Sequence, residues 1–218
     1  MTESEKLLLK AERLDGAHSC SALMGRYAYY YSAFRLRDIA ELFAKRDDSL
    51  LVMPWGCYDG WESIRRCFVD EMGDRENPGM DEFMKGKFFL RQFNTELIRV
   101  AKDGKTARAF WISMGQDGYA KENGFTSQDY VWAKYGVEFI CEDGQWKIWR
   151  MHIFPVFSYP YDSDWTLDPA YKGFTYPEVN PDRPLPRPLW LWTIDGPSPV
   201  DEPDWPLDYD TYSDIGYV

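Results

Sequence analysis

The chain has 218 residues, a formal net charge of −11, ten tryptophans and fifteen tyrosines. Its length suits one domain with an appendage, and the acidic balance argues against nucleic acid or an anionic membrane surface as partner, since both require a basic footprint. So many aromatic rings leave some for lining a pocket that takes a flat, apolar ligand.

In chain order, residues 4–14 read as a short amphipathic helix ending at Gly16. Ser19 or Ser21 then caps a longer helix, because Leu23, Tyr27, Tyr30, Tyr31, Phe34, Ile39, Leu42 and Phe43 recur near the helical period. Residues 49–53 form a strand, Trp55-Gly56-Cys57-Tyr58 follow, and residues 61–72 make a helix with Ile64, Phe68 and Met72 on one face. The charged, Gly- and Pro-containing stretch 73–86 fits a mobile surface loop acting as a lid.

Residues 88–94 lead into the central strands. Strands are expected over 98–100 and 106–113 around the Asp103-Gly104 turn, and over 130–141 and 146–154 around Asp143-Gly144. Asp-Gly between β-branched and aromatic runs is a strong hairpin signal. Residues 115–127 read as a long loop. On the strand 130–141, Val131, Ala133, Tyr135, Val137 and Phe139 form an apolar face. The other face carries Trp132, Lys134, Gly136, Glu138 and Ile140, a mixture that suggests a lined cavity. From Pro155 onward, proline density forbids a central strand or long helix, while the aromatics argue against ordinary disorder. The expected division is a domain over 1–155 and an extended arm over 156–218, packed on its own domain or on a neighbouring subunit.

Cys20, Cys57, Cys67 and Cys141 are scattered without a C-x-x-C pair and read as free thiols in a reducing compartment. His18 and His152 are too few and too far apart for a recognisable metal-ligand set, so neither metal nor cofactor is expected. With no basic-then-apolar leader and no membrane-length apolar run, the expected location is the cytoplasm.

Gly25-Arg26-Tyr27 on the long helix, Glu41-Leu42-Phe43-Ala44, Gly60-Trp61-Glu62-Ser63-Ile64, Asp103-Gly104-Lys105-Thr106-Ala107 and Glu142-Asp143-Gly144-Gln145-Trp146-Lys147-Ile148 fall in an order that resembles SnoaL-like proteins of the nuclear transport factor 2-like superfamily. The resemblance covers residues 10–155. It implies an α+β cone, a curved antiparallel sheet wrapped around N-terminal helices, whose open end binds a hydrophobic small molecule, in a homodimer or homotrimer. Activities in the superfamily include dehydratases, isomerases, cyclases and formaldehyde-releasing lyases, so the fold alone does not choose the reaction. The dehydratase-like members use a helix tyrosine, an aspartate five residues later and a histidine at the start of the central strand. Here the tyrosine is Tyr27, but Ser32 and Asn94 occupy the other positions, and neither exchanges a proton near neutral pH.

The remaining candidates are read from the strands. His152 is the side chain in the sheet whose ordinary pKa lies near neutrality and would move a proton. Lys134 or Arg91 would stabilise an oxyanion, and Tyr27 and Asn94 would donate hydrogen bonds. Tyr31, Trp55, Trp111, Trp132 and Glu138 would bind substrate. No Gly-rich phosphate loop or nucleophile elbow is present. The expected activity is therefore a cofactor-independent lyase on a phenolic or other aromatic small molecule, with the replaced aspartate and histidine favouring formaldehyde over water as the fragment expelled. An isomerase or cyclase in the same pocket, and a non-catalytic binding protein, are the alternatives.

Overall fold

A computed structural model describes residues 2–120, 126–161, 179–189, 191–192, 196, 203 and 206–213, with the backbone alone at 119, 120, 126 and 127. The chain opens with helix α1, Glu3–Ser32. Thr2 and Glu5 cap it reciprocally: the Glu5 amide donates to Thr2 Oγ1 at 3.3 Å and the Thr2 amide to Glu5 Oε2 at 2.6 Å, which satisfies donors that a helix start otherwise leaves open. The break expected at Gly16 is absent. Gly16 lies inside the helix because a Cβ there would stand 2.8 Å from Cζ2 of Trp146, so the missing side chain serves close packing, not termination. The helix stops instead at Phe34, whose φ of 55° leaves the right-handed region. A separate helix α2, Leu36–Glu41, then supplies the buried Ile39.

Strands β1, Leu50–Met53, and β2, Gly56–Asp59, form a hairpin. Helix α3, Trp61–Arg65, passes into a π-helical turn at Arg66–Glu71, which carries the buried Cys67 and Phe68. Residues 73–86 are tied to the fold at their start. They include helix α4, Met80–Met84, and the buried Asp74 accepts the Arg37 amide at 2.7 Å and the Glu76 amide at 3.0 Å.

Four long strands follow: β3, Phe88–Val100; β4, Thr106–Ala120; β5, Thr126–Glu142; and β6, Gln145–Pro160. Together with the first hairpin they make a curved, unclosed six-stranded sheet in the order β2-β1-β6-β5-β4-β3. Only β1 and β6 run parallel; the other neighbouring pairs are antiparallel. Register shifts at Asn94/Leu97, Trp132/Ala133 and Glu138/Phe139 are the irregularities by which long strands bend. The loop expected over 115–127 is mostly strand, with residues 121–125 outside the described part. Gly115 pairs with Arg91 and Gly118 with Phe88, and in each case the partner's side chain lies over the glycine, where a Cβ would collide with it.

Strand alternation gives the sheet two faces. Ala109, Trp111, Tyr135, Val137, Phe139, Met151 and Ile153 pack in the core with Leu23, Met24 and Tyr27 of α1; this is the helix face. The opposite, arm face is crossed by described residues from the C-terminal segment. The Lys102 and Asp103 amides donate to the Tyr209 and Asp210 carbonyls at 3.0 and 3.1 Å, and the Trp192 amide donates to the Val156 carbonyl at 2.9 Å. All four cysteines carry free thiols, three of them buried. Among the described residues no helix is long and apolar enough to cross a membrane.

Candidate active site

On the helix face, period-two alternation lines up Phe89, Arg91 and Phe93 on β3, Trp111, Ser113, Gly115 and Asp117 on β4, and Ala133 and Tyr135 on β5. Tyr27 and Tyr31, one turn apart on α1, come down onto this row. Tyr27 sits edge-on to Phe93 and Tyr135 with centroids 5.9 and 6.3 Å apart, and stacks on Tyr31 at 6.2 Å. Phe93 fills the centre, 4.8 Å from Tyr135 and 6.4 Å from Trp111. Each such ring pair contributes about 1 kcal/mol beyond its buried area.

One ion pair is set into these rings. Arg91 donates through both terminal nitrogens to Asp117, Nη2 to Oδ2 at 2.9 Å, and the two side chains are only 10% and 11% exposed. The guanidinium also lies over the Tyr31 ring at 5.1 Å. Burial would lower the Arg91 pKa, but Tyr31 and Asp117 outweigh it and hold the group above its ordinary value. Burial pushes the Tyr27, Tyr31 and Tyr135 hydroxyls up, with Arg91 pulling each of them down in part. At neutral pH the nest therefore offers three protonated phenols and one fixed cation. Such a set can hold an oxygen that gains negative charge, beside a carboxylate whose oxygens accept hydrogen bonds.

Four of the residues anticipated from sequence, Tyr27, Tyr31, Arg91 and Trp111, thus meet in one place. Trp55 packs against the edge of the same core and donates its indole N–H to the Tyr58 hydroxyl at 2.9 Å, which in turn donates to Glu71 at 2.6 Å. Tyr135, Asp117, Ser113 and Gly115 were not anticipated. Tyr135 read as plain core on an apolar face, and Asp117 was hidden in an apparent loop. The only available signal was that β4 continues with alternate residues past Ser113.

The remaining five residues lie on the arm face, so His152 and Lys134 stand on the opposite side of the sheet from Tyr27 and Arg91. Lys134 and His152 line a recess with Phe154, Val156 and the run Leu185–Leu189, with an internal volume of about 20 Å³, room for roughly one water molecule. His152 stacks on Phe154 at 3.7 Å. The Glu138 carboxylate meets Arg108 Nε at 3.0 Å and Arg150 Nη1 at 3.7 Å. Trp132 tilts against Phe157 at 5.8 Å. Asn94 is exposed at the bulge of β3.

Burial, then the nearby Arg187, push the His152 pKa from 6.5 down to about 3. A histidine with a depressed folded-state pKa binds more protons when unfolded. Its neutral form therefore supports the fold fully above pH 6.5, and that support is lost as pH falls towards 3. Between pH 7 and pH 5 the native protein should lose about 2 kcal/mol on this account, and His152→Gln should lose less, as read from urea midpoints at the two pH values.

A curved, unclosed sheet with one long helix laid across it is the fold of the nuclear transport factor 2-like proteins. The model of the SnoaL-like domain matches residues 12–152, and the chain belongs to that family. Among solved structures it is similar to a scytalone dehydratase-like protein of Novosphingobium aromaticivorans, with 16% identity, a TM-score of 0.52, and 69% of this chain covering 90% of that one. It is also similar to an NTF2-like protein with a cystatin-like fold from the same organism, with 14% identity, a TM-score of 0.52, and coverage of 70% and 90%. At such identities the likeness concerns the fold. No curated protein sequence matches the chain.

Proposed function

We propose that this protein is a cofactor-independent lyase for an aromatic, oxygen-bearing small molecule, and that its chemistry takes place in the nest on the helix face. The carrying observation is the Arg91–Asp117 pair enclosed with three phenols. In a dehydration, Asp117 takes a proton from carbon next to a carbonyl, and the electron pair moves onto the carbonyl oxygen. It then returns to form the double bond as hydroxide leaves and is protonated to water. In a formaldehyde-releasing cleavage, Asp117 takes the hydroxymethyl O–H proton. The carbon–oxygen double bond of formaldehyde forms, the carbon–carbon bond breaks, and its electron pair passes through a conjugated carbonyl or quinone methide of the retained fragment onto the oxygen there, after which protonated Asp117 returns the proton to carbon. In both reactions Arg91 and the phenols stabilise that oxyanion. His152, a weak base on the arm face, has no part in this reading.

Incubation of the purified protein, without added metal or nucleotide, with a panel of phenolic diaryl and hydroxylated polycyclic compounds tests the proposal by mass spectrometry. The expected product has lost the mass of water or of formaldehyde, and Arg91→Lys slows its formation at least about a hundredfold. A product of unchanged mass would point to isomerisation instead.

A further inference from the structure

Ser113 is the buried residue, among those described, whose side-chain oxygen has no hydrogen-bond partner. It is 1% exposed, and leaving a buried hydroxyl unpaired costs about 1–3 kcal/mol. Native proteins seldom leave such a group without a reason. Its two cross-strand neighbours, Phe93 and Ala133, carry no polar side-chain atom, so the sheet itself supplies no partner in that row. The next residue on the same face is Gly115. A Cβ there would stand 2.7 Å from Arg91 Nη1, 2.9 Å from Arg91 Cδ and 2.6 Å from the Leu90 carbonyl oxygen. The missing side chain lets the guanidinium lie flat along β4 towards Asp117. Ser113 and the Arg91 head are therefore separated by about 7 Å, two residues of extended strand.

Phe93 lies directly across from Ser113 in the strand register, two residues along β3 from Arg91. Its ring packs against Tyr27, Tyr135 and Trp111, and with Tyr31 it is one of the rings of the nest that are only partly buried. We infer that the nest takes a flat aromatic ligand carrying an oxygen at each end, which displaces the Phe93 ring, offers one oxygen to Arg91 and the phenols, and gives the other to Ser113. This inference rests on the nest being the binding site proposed above. It deepens that reading by naming the substitution pattern: oxygens on opposite sides of a ring system, not adjacent ones. Ser113 is then a specificity-determining residue and Gly115 a positioning residue that acts through Arg91.

The test is equilibrium binding of hydroquinone, catechol and phenol to the native protein, Ser113→Ala and Gly115→Ala, with the thermal midpoint of each protein measured alongside. In the native protein hydroquinone should bind about tenfold more tightly than phenol or catechol, one hydrogen bond's worth. Ser113→Ala should abolish that preference, leave phenol binding unchanged, and keep or raise the thermal midpoint, since it removes an unpaired buried group. Gly115→Ala should weaken all three ligands. Equal affinities in the native protein, no binding of any of the three, equal weakening of all three by Ser113→Ala, or a lowered midpoint in that variant would each overturn the inference. Because the readout is binding, a failure of turnover with every compound would remove the lyase reading without touching this one.

Discussion

Replacing Arg91 with methionine is expected to destabilise the protein by about 3–5 kcal/mol, because it strands the Asp117 carboxylate in a shell of rings with its principal partner gone. The pair is nearly closed to solvent and bidentate, so water cannot replace the lost guanidinium as it would at a surface. In a chain of this size such a loss lowers the thermal midpoint by roughly 10 °C. The double variant Arg91→Met, Asp117→Leu should recover most of the stability, since it removes both charges and leaves apolar groups of similar bulk. It should not recover ligand binding. Thermal melts and binding curves on the three proteins separate the two effects: restored stability with restored binding would deny the pair its place in the site.

Glu138→Leu is the second large effect, on the opposite face. The carboxylate is 2% exposed and lies between Arg108 and Arg150. Those two arginines hold the end of the C-terminal segment: Arg108 Nη2 donates to the Ser213 carbonyl at 2.6 Å and Arg150 Nη1 to the Tyr212 hydroxyl at 2.6 Å. Removing the central anion should cost about 3 kcal/mol and loosen residues 206–213 before the sheet itself opens. The local readout is amide hydrogen exchange at Lys102 and Asp103, which donate to the Tyr209 and Asp210 carbonyls. Their protection should fall well below that of the β4 and β5 amides. A uniform loss of protection would mean that the cluster supports the sheet and not the segment.

The parts of this fold that depend on local rules were legible in the chain. Both Asp-Gly turns occur where expected, with Gly104 at φ 71° and Gly144 at φ 76°, and period-two alternation correctly divided β5 into an apolar and a mixed face. Glycine misled twice for one reason. Gly16 and Gly115 read as interruptions of a helix and of a strand, whereas each sits mid-element beneath a large side chain from elsewhere, Trp146 and Arg91. A long-range approach of that kind leaves no trace in the neighbouring residues. With the strand cut short at Ser113, Asp117 could not be paired with Arg91, and half of the candidate site stayed out of view. The mixed face of β5 misled differently. Lys134, His152 and Glu138 do lie under cover, but the cover is the C-terminal segment and not α1, and nothing within a strand tells which of its faces the helix will take.

Binding of ligand on the helix face carries everything proposed for this protein. It is tested most directly by titrating hydroquinone into isotope-labelled protein while following the side-chain resonances of Arg91, Tyr27 and Tyr135 together with the His152 imidazole. The Arg91 and tyrosine signals should move together along one binding curve while His152 stays in place. Movement of His152 with Arg91 unchanged would place the ligand under the C-terminal segment and contradict binding on the helix face.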